Sequence, residues 1–561
     1  MYLFLLLISL SFNNKVQAQW DGNSSTVNNL ITTASAGGAA ITVSDKYGGA
    51  IRAWELGKSI YIQRKTVGGI VSWNDVSDPV EIFQDASSNY IQIGDMIPDD
   101  NGGVYISWMN HLTPATSDLY VQHIGSNGQK SWGADGIKIN PAGSPLCTEG
   151  RLCLSGDDVI IVWGTEKMNP IVPSPDSSLL FIQKIDRTGQ KVWTSSAIPV
   201  STAPGFKFWP VISADSSNGV YISFTDTRNS TREMDGTYNN FDIFIQHFNS
   251  AGQQLWPFND IAISIQPFHQ TSYNDYAPTS VGNRPSMLTD GEGNIIILYE
   301  NYIDNSYPDT EYLEAQKLNF SGIYQWNNAV KVNQQQTNKL FLQLAPDKEN
   351  GLVICWKNVQ AAGTVYAQRV TNSGTLPWGT NGITVNNTSE IDFGLSDISM
   401  VNDEEGNYIV TWRMDTTTAN FEHTQYLKAQ KFNNSGTLLW SYPGVLISAV
   451  DNDLPNIPQI VKSIDNATLF TWKCARGLNA ALVNPNGSLR NQPVMNFTAI
   501  ASGNWDDPSV WAGNMVPPAG ANIIITQNIT VNVNIICNSI IVQPTTVLTI
   551  NPGVNVTIFN N

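Results

Sequence analysis

The sequence predicts an all-β protein, a β-propeller of eight four-stranded blades followed by a small β-solenoid-like C-terminal module. Three observations carry that prediction. A Gln-x5-Gly-x3-Trp pattern recurs seven times without a change of spacing, and an aromatic residue follows a turn pair eight times at a fixed offset. Beyond residue 499 both patterns give way to charge-poor, Ile/Val-rich segments.

The N-terminal residues read as a signal peptide over 1–18. Leu3 to Leu10 is a short apolar run, Ser11 to Lys15 is polar, and Val16-Gln17-Ala18 places small residues where a signal peptidase cleaves. Met1-Tyr2 depart from the pattern in carrying no basic residue before the run. The expectation is a secreted or cell-surface protein without a membrane span, because the run is too short to cross a bilayer.

The propeller is assigned to 19–495. Its first motif runs Gln63/Gly69/Trp73, Gln122/Gly128/Trp132, Gln183/Gly189/Trp193, Gln246/Gly252/Trp256, Gln316/Gly322/Trp326, Gln368/Gly374/Trp378 and Gln430/Gly436/Trp440. An eighth copy keeps only its glycine, as Ala481, Gly487, Asn491. A β-rich run such as Ile243-Phe244-Ile245 precedes each Gln, so the motif reads as strand, turn, strand. The second motif sets Trp54, Trp108, Trp163, Phe224, Tyr299, Trp356, Trp412 and Trp472 after pairs such as Gly48-Gly49, Asp157-Asp158 and Asn218-Gly219. Those residues tolerate positive φ and predict a two-residue type I′ hairpin. Two hairpins per repeat make strands A to D of one blade, with a period of about 50 to 70 residues.

Four antiparallel strands leave both faces uncovered, so blades must stack around an axis with the repeated Trp between them. The repeated Gln is expected to bond backbone within or between blades. Since the eighth repeat lacks its Trp, residues 19–31 are expected to supply that blade's outer strand, with Trp20 in the place vacated at Asn491. Seven blades plus an irregular ornament is the alternative.

The five cysteines, Cys147, Cys153, Cys355, Cys474 and Cys537, are too few and too scattered for a disulfide framework or a zinc site. Cys147 and Cys153 either bridge one loop or remain free.

In its motifs the chain resembles the secreted propeller-like repeats of Bacteroidota exported proteins, whose blades read approximately D-x-x-G-G-x4-W-x-D-x-R, D-I-Y-x-Q-R and G-x3-W. The fullest match is Asn218-Gly219, then Phe224-Thr225-Asp226-Thr227-Arg228, then Asp242-Ile243-Phe244-Ile245-Gln246. The resemblance spans roughly residues 39–495 and implies an architecture; such repeats share no catalytic centre. Sialidase-type Asp-boxes set Gly and Trp closer together than Gly103 and Trp108, and are rejected. The tail, 499–561, opens with Ser502-Gly-Asn-Trp505 and Trp511 and resembles the start of a parallel β-solenoid, truncated after about two rungs where about three are usual.

A formal net charge of −17 argues against nucleic acid and anionic lipid as partners. The A–B and C–D turns are constant in length, whereas the B–C and D–A connections diverge, and variable loops on a rigid scaffold carry binding residues. Asp226, Arg228, Arg232, Glu233, Asp235 and Tyr238 fall in one such loop and His269, Tyr273, Asp275 and Tyr276 in another, with Phe206 and Trp209 close by. Aromatic faces with carboxylates and guanidinium groups stack on sugars and bond their hydroxyls. The ligand set is therefore Asp226, Arg228, Arg232, Tyr238, His269, Tyr273, Tyr276 and Trp209, and the expected partner is an extracellular glycan or surface protein. The bland competitor is a set of solvated loops with local salt bridges. Asp304 and Asp309, with Asp226 and Asp235, have the oxygen chemistry of a calcium site but not the spacing of a known loop, so no cofactor or metal ligand is assigned. No HExxH, GxSxG or phosphate loop is present, and no catalytic residue is assigned. The leading expectation is a non-catalytic binding or adhesion scaffold. A propeller glycoside hydrolase or lyase is the alternative class, and a structural spacer the third.

Overall fold

A computed structural model describes residues 30–32, 40–69, 71–74, 78–141, 144–168, 175–193, 197–231, 240–257, 260–267, 286–302, 311–334, 339–358, 364–386, 398–417, 423–448, 456–474, 477–490, 496–512, 516–517 and 521–558. Two compact units emerge, one of Gly22–Val67 and Val71–Arg490, the other centred on Asn491–Asn561. Among the described residues there is no α-helix, and so none long and apolar enough to cross a membrane.

The first unit is an eight-bladed propeller, each blade a four-stranded antiparallel sheet. Blade 1 comprises Ala40–Ser44, Ala50–Leu56, Ser59–Lys65 and Val80–Gln84, and blade 4 comprises Lys207–Ala214, Val220–Asp226, Asp242–Phe248 and Ile261–Ser264. Each A strand touches the A strands of the blades on either side, and that circuit closes from Asn456–Lys462 in blade 8 back to Ala40–Ser44. The A strands are thus innermost and the ring is complete. Closure follows the expected route: Leu30–Thr32 pairs antiparallel with Gly477–Val483 as the fourth strand of the sheet that carries Trp472. Ile31 and Thr32 are buried there. Trp20 and Asn491, the proposed exchange of indoles, lie outside the described residues.

Each residue of the Gln-x5-Gly-x3-Trp motif has a distinct task. The Gln carboxamide oxygen accepts the next backbone N–H and, ten residues on, the N–H of its own Trp, as in Gln122 with His123 N at 3.0 Å and Trp132 N at 2.9 Å. This staples strand C to the chain beyond its turn, within one blade. The indole then reaches the following blade. All seven Nε1 groups donate to a C–D turn carbonyl one blade on, from Trp73 to Ser126 and so around to Trp440 and Pro485, at 2.8–3.1 Å. The motif glycine of that next turn has φ of 78–87°, and a Cβ on it would lie 2.8–3.2 Å from an indole atom of the preceding Trp. Glycine therefore satisfies a left-handed backbone and a close approach together. The degenerate repeat keeps Gly487 because that residue still receives Trp440. Six of these indoles are buried and Trp378 is half-buried. The strand-B tryptophans act as core volume instead. The Nε1 atoms of Trp54, Trp108, Trp163 and Trp412 have no hydrogen-bond partner among the described residues.

Two expectations need correction. The A–B connections are mostly five-residue turns organised by an aspartate, not two-residue type I′ hairpins. Asp45 Oδ1, for example, accepts from Tyr47 N at 2.8 Å and Gly49 N at 2.7 Å. Only the first residue of most pairs has positive φ, such as Gly48, Asn218 and Asn350. Cys147 and Cys153 are free thiols six positions apart on one extended strand, Leu146–Ser155, roughly 20 Å at ~3.3 Å per residue, beyond disulfide reach.

The second unit is built of parallel strands. One sheet holds Asn496–Thr498, Ala521–Ile525, Ile535–Val542 and Val556–Ile558, and the other Gly503–Asn504, Ile529–Val531 and Leu548–Ile550. These make three rungs and the start of a fourth, more than the two expected, because the Trp505 segment is itself a full rung. The rungs enclose a core of Phe497, Trp505, Trp511, Ile523, Ile529 and Ile535, with Trp511 Nε1 donating to Trp505 O at 2.9 Å.

The glycine role is testable by thermal denaturation. Gly252→Ala must push against Trp193 and Ile198 and should cost about 2–4 kcal/mol. Gly57→Ala, also at positive φ but with nothing within 4 Å, should cost only the backbone strain of about 1–2 kcal/mol. Equal losses would contradict the packing explanation.

Candidate functional site

The two ends of the ring differ in how far their loops are committed. On the A–B/C–D end, the turn aspartate of each blade pairs with the residue that follows the repeat Gln. The pairs are Asp45 with Arg64, Asp99 with His123, Asp215 with His247, Asp290 with Lys317, Asp347 with Arg369 and Asp403 with Lys431, at 2.5–2.9 Å. Blade 3 substitutes Asp158 with Lys184 at 3.1 Å. Most are buried: neither side chain of the His247–Asp215 pair exceeds 1% exposure. Burial opposes ionisation of Asp215, but His247 and the backbone N–H groups of Ser217 and Gly219 outweigh it, holding the carboxyl below its usual range. Asp99, Asp290 and Asp403 are lowered in the same way by His123, Lys317 and Lys431 against the same desolvation. This end is a frame with little variation left for recognition.

The B–C/D–A end carries the divergent connections. Of the expected ligand set, Asp226, Arg228 and Trp209 are described, and all three belong to blade 4. Arg232, Tyr238, His269, Tyr273 and Tyr276 lie outside the described residues, as do Glu233, Asp235, Asp275, Asp304 and Asp309. Among the described residues no group of three His, Cys, Asp or Glu is placed to hold a metal.

Asp226 and Arg228 turn inward. Arg228 Nη2 bridges Asp226 Oδ2 at 2.6 Å and Asp260 Oδ2 at 2.8 Å, with its guanidinium 3.7 Å above the Phe244 ring. Lys207 Nζ, fully buried, lies 3.3 Å from Asp226 Oδ2 and donates to the carbonyls of Ala203, Pro204 and Gly205. Ser201 Oγ donates to Asp260 Oδ2 at 2.6 Å, and Gln246 Nε2 donates to Asp260 Oδ1 at 3.1 Å. Asn229 and Asn240 hold the two oxygens of Asp242. The repeat's Asp-x-Arg is therefore a clamp that fixes the B–C and D–A loops to strand D. Its charges are committed to each other.

What the clamp supports is aromatic. Phe206, Phe208, Trp209 and Phe241 form a continuous cluster, with ring centroids 5.8–6.3 Å apart. Trp209 is half-buried and has φ of 50°, a left-handed value that costs a bulky residue energy. It occupies a bulge in the innermost strand, where Trp209 and Pro210 together oppose Phe224. Blades 2, 3, 6 and 8 break register at the same level, opposite their own strand-B aromatic. In blade 3 the equivalent residue is Glu149, φ 57°. Burial pushes its carboxyl up to about 7 against the opposing charge of Arg151. Arg151 also acts on Asp95, which burial raises and the N–H groups of Leu152 and Met96 lower, and Arg151 Nη1 donates to Gly94 O at 3.1 Å. Lys207, Phe208, Asp260 and Glu149 were not singled out from sequence. The single signal for Glu149 and Trp209 was their shared place a few residues into strand A.

No family model matches the chain, and no curated protein matches it in sequence. Among solved structures it is loosely similar to a polysaccharide lyase acting as an ulvan lyase, 10% identical over 85% of this chain and 99% of that one, TM-score 0.40. It is similar also to a protein of unknown function from Dyadobacter fermentans, 9% identical over 61% and 92%, TM-score 0.32. A third is the alpha-L-arabinofuranosidase of Fusarium graminearum, 9% identical over 72% and 94%, TM-score 0.32. Likenesses this distant leave function to the chain's own residues.

The frame predicts an acid response. Because the four aspartates titrate below the ordinary value of about 3.9, their stabilisation is complete above roughly pH 4 and drains as pH falls through the lowered values. Urea midpoints should hold between pH 7 and 5 and drop steeply below 4. Asp290→Asn leaves Lys317, 1% exposed, without its anion and should cost about 3–5 kcal/mol at pH 7. An unchanged midpoint in that variant would show the pair to be idle.

Proposed function

We propose that the protein is a non-catalytic extracellular binding scaffold that holds a glycan against the aromatic cluster of blade 4. The observation that carries this reading is Trp209, a half-buried indole kept at φ 50° on the innermost strand. A strained tryptophan persists only where its surroundings over-determine it, and such strain concentrates at functional sites. Fully satisfied buried charges beneath a half-open aromatic surface suit stacking on a sugar ring, which needs a rigid apolar face more than a free charge. In this reading Asp226, Arg228 and Lys207 are positioning residues, and the outer B–C and D–A loops add the polar contacts that choose the ligand. Secretion, read from residues 1–18, is part of the same proposal.

The test is a glycan array with the wild type and Trp209→Gly. Glycine relaxes the left-handed backbone while removing the indole, so the variant should keep its Tm within about 3 °C and lose binding by ~10-fold or more. Binding that survives the substitution would sink the reading.

A second reading, a glycan-cleaving enzyme, is favoured by Glu149, whose carboxyl at about 7 suits a general acid near neutral pH. It requires turnover of a polysaccharide by the wild type that Glu149→Gln abolishes. Binding without turnover decides for the scaffold.

A further inference from the structure

The eight blade-to-blade joints can be compared residue by residue, because the repeat fixes equivalent positions. Two positions on each blade face the preceding blade: two residues before the strand-B aromatic, and two residues after the repeat Gln. In blades 2 to 8 the first position is Ile106, Ile161, Ile222, Ile297, Ile354, Val410 and Phe470, each fully or almost fully buried. The second is Ile124, Ile185, Phe248, Leu318, Val370, Phe432 and Val483. Both positions fall in the hydrophobic cluster that joins each blade to the one before it, as Ile106 and Ile124 join the cluster of Trp73. Blade 1, which faces blade 8, has Arg52 and Lys65 instead, 0% and 1% exposed.

Arg52 does reach across. Its Nη1 donates to Thr471 Oγ1 of blade 8 at 2.7 Å and to Thr42 Oγ1 of its own blade at 3.2 Å, and the two hydroxyls lie 3.0 Å apart. Lys65 is held in surroundings where burial pushes its ammonium down to about 7, a sign of what enclosing it costs. Hydrogen-bonded buried cations are generally less stabilising than apolar residues packed in the same volume. The same place is the break in the chain. Blade 8 is completed by a strand from the other end of the sequence, Leu30–Thr32, whose described pairing with Gly477–Val483 covers three residues and shifts register. The polar joint and the short ladder are adjacent, since Leu30–Thr32 also touches Ser59–Lys65.

We propose that the joint between blades 8 and 1 is a latch at which the closed ring opens reversibly while the other seven joints stay shut. Opening there parts Asn456–Val483 from the N-terminal strand and blade 1. It requires two buried cations to return to water, which is favourable, and exposes less apolar surface than parting any other joint.

Hydrogen–deuterium exchange on the intact protein tests the latch. Peptides of the third strands of blades 8 and 1, Gly477–Val483 and Ser59–Lys65, should exchange about 10-fold or more faster than the equivalent Asp242–Phe248 and Thr364–Val370. The double variant Arg52→Ile, Lys65→Ile carries the residue type of the other joints and leaves the Thr42–Thr471 bond in place. It should raise Tm and bring the exchange ratio below about 3-fold. Seam peptides as protected as those of blades 4 and 6 in the wild type would overturn the proposal whatever the variant does. So would a folded double variant whose seam exchange is unchanged.

Discussion

The propeller rests on one recurrent contact, an indole laid against a glycine of the next blade. Each such contact combines burial of a large aromatic surface with an Nε1–H bond to the turn carbonyl beside that glycine. The hydrogen bond fixes direction and the missing Cβ fixes distance, so a blade can sit in only one register on its predecessor. The Gln staple orients the Trp from below, through a backbone N–H rather than through the ring. One motif thereby specifies both the blade and its attachment, which is why its spacing never varies.

A fixed attachment has a consequence for where recognition can reside. The turns that receive the indoles are the same turns whose aspartates pair with Arg, Lys or His, and that end of the ring is saturated with internal bonds. The opposite end is free of this demand. There blade 4 uses Asp226, Arg228, Lys207 and Asp260 to immobilise its loops, and the freedom gained is spent on a tryptophan in an unfavourable backbone state. Stability at one end and strain at the other are parts of the same design.

The architecture was legible because propeller repeats are periodic: eight blades, the outer strand from residues 30–32 and the buried tryptophans all follow from spacing alone. The failures were local. Turn type was misread because a Gly-Gly pair has the same composition in a two-residue hairpin and at the end of an aspartate-organised turn. Asp45 to Gly49 is told apart only by bonds that reach back four residues. Cys147 and Cys153 looked bridgeable in sequence, and strand geometry separates them. The charges of Asp226 and Arg228 suggested a ligand, yet each is the other's partner, a distinction that composition does not encode. Glu149 and Trp209 were hidden because a bulge leaves no mark in a pattern of alternating residues. The substitutions Arg52 and Lys65, by contrast, were readable from alignment of the repeats, and their meaning appeared only once the facing blade was known.

The most direct measurement is hydrogen exchange of the indole Nε1–H groups, followed by NMR on the assigned tryptophans. The account predicts slow exchange, over minutes to hours, for Trp73, Trp132, Trp193, Trp256, Trp326, Trp378 and Trp440, whose protons are each held by the next blade. Loss of most of these signals as fast as from a free indole would mean that the blades are not joined through the indole, and the central claim would fall.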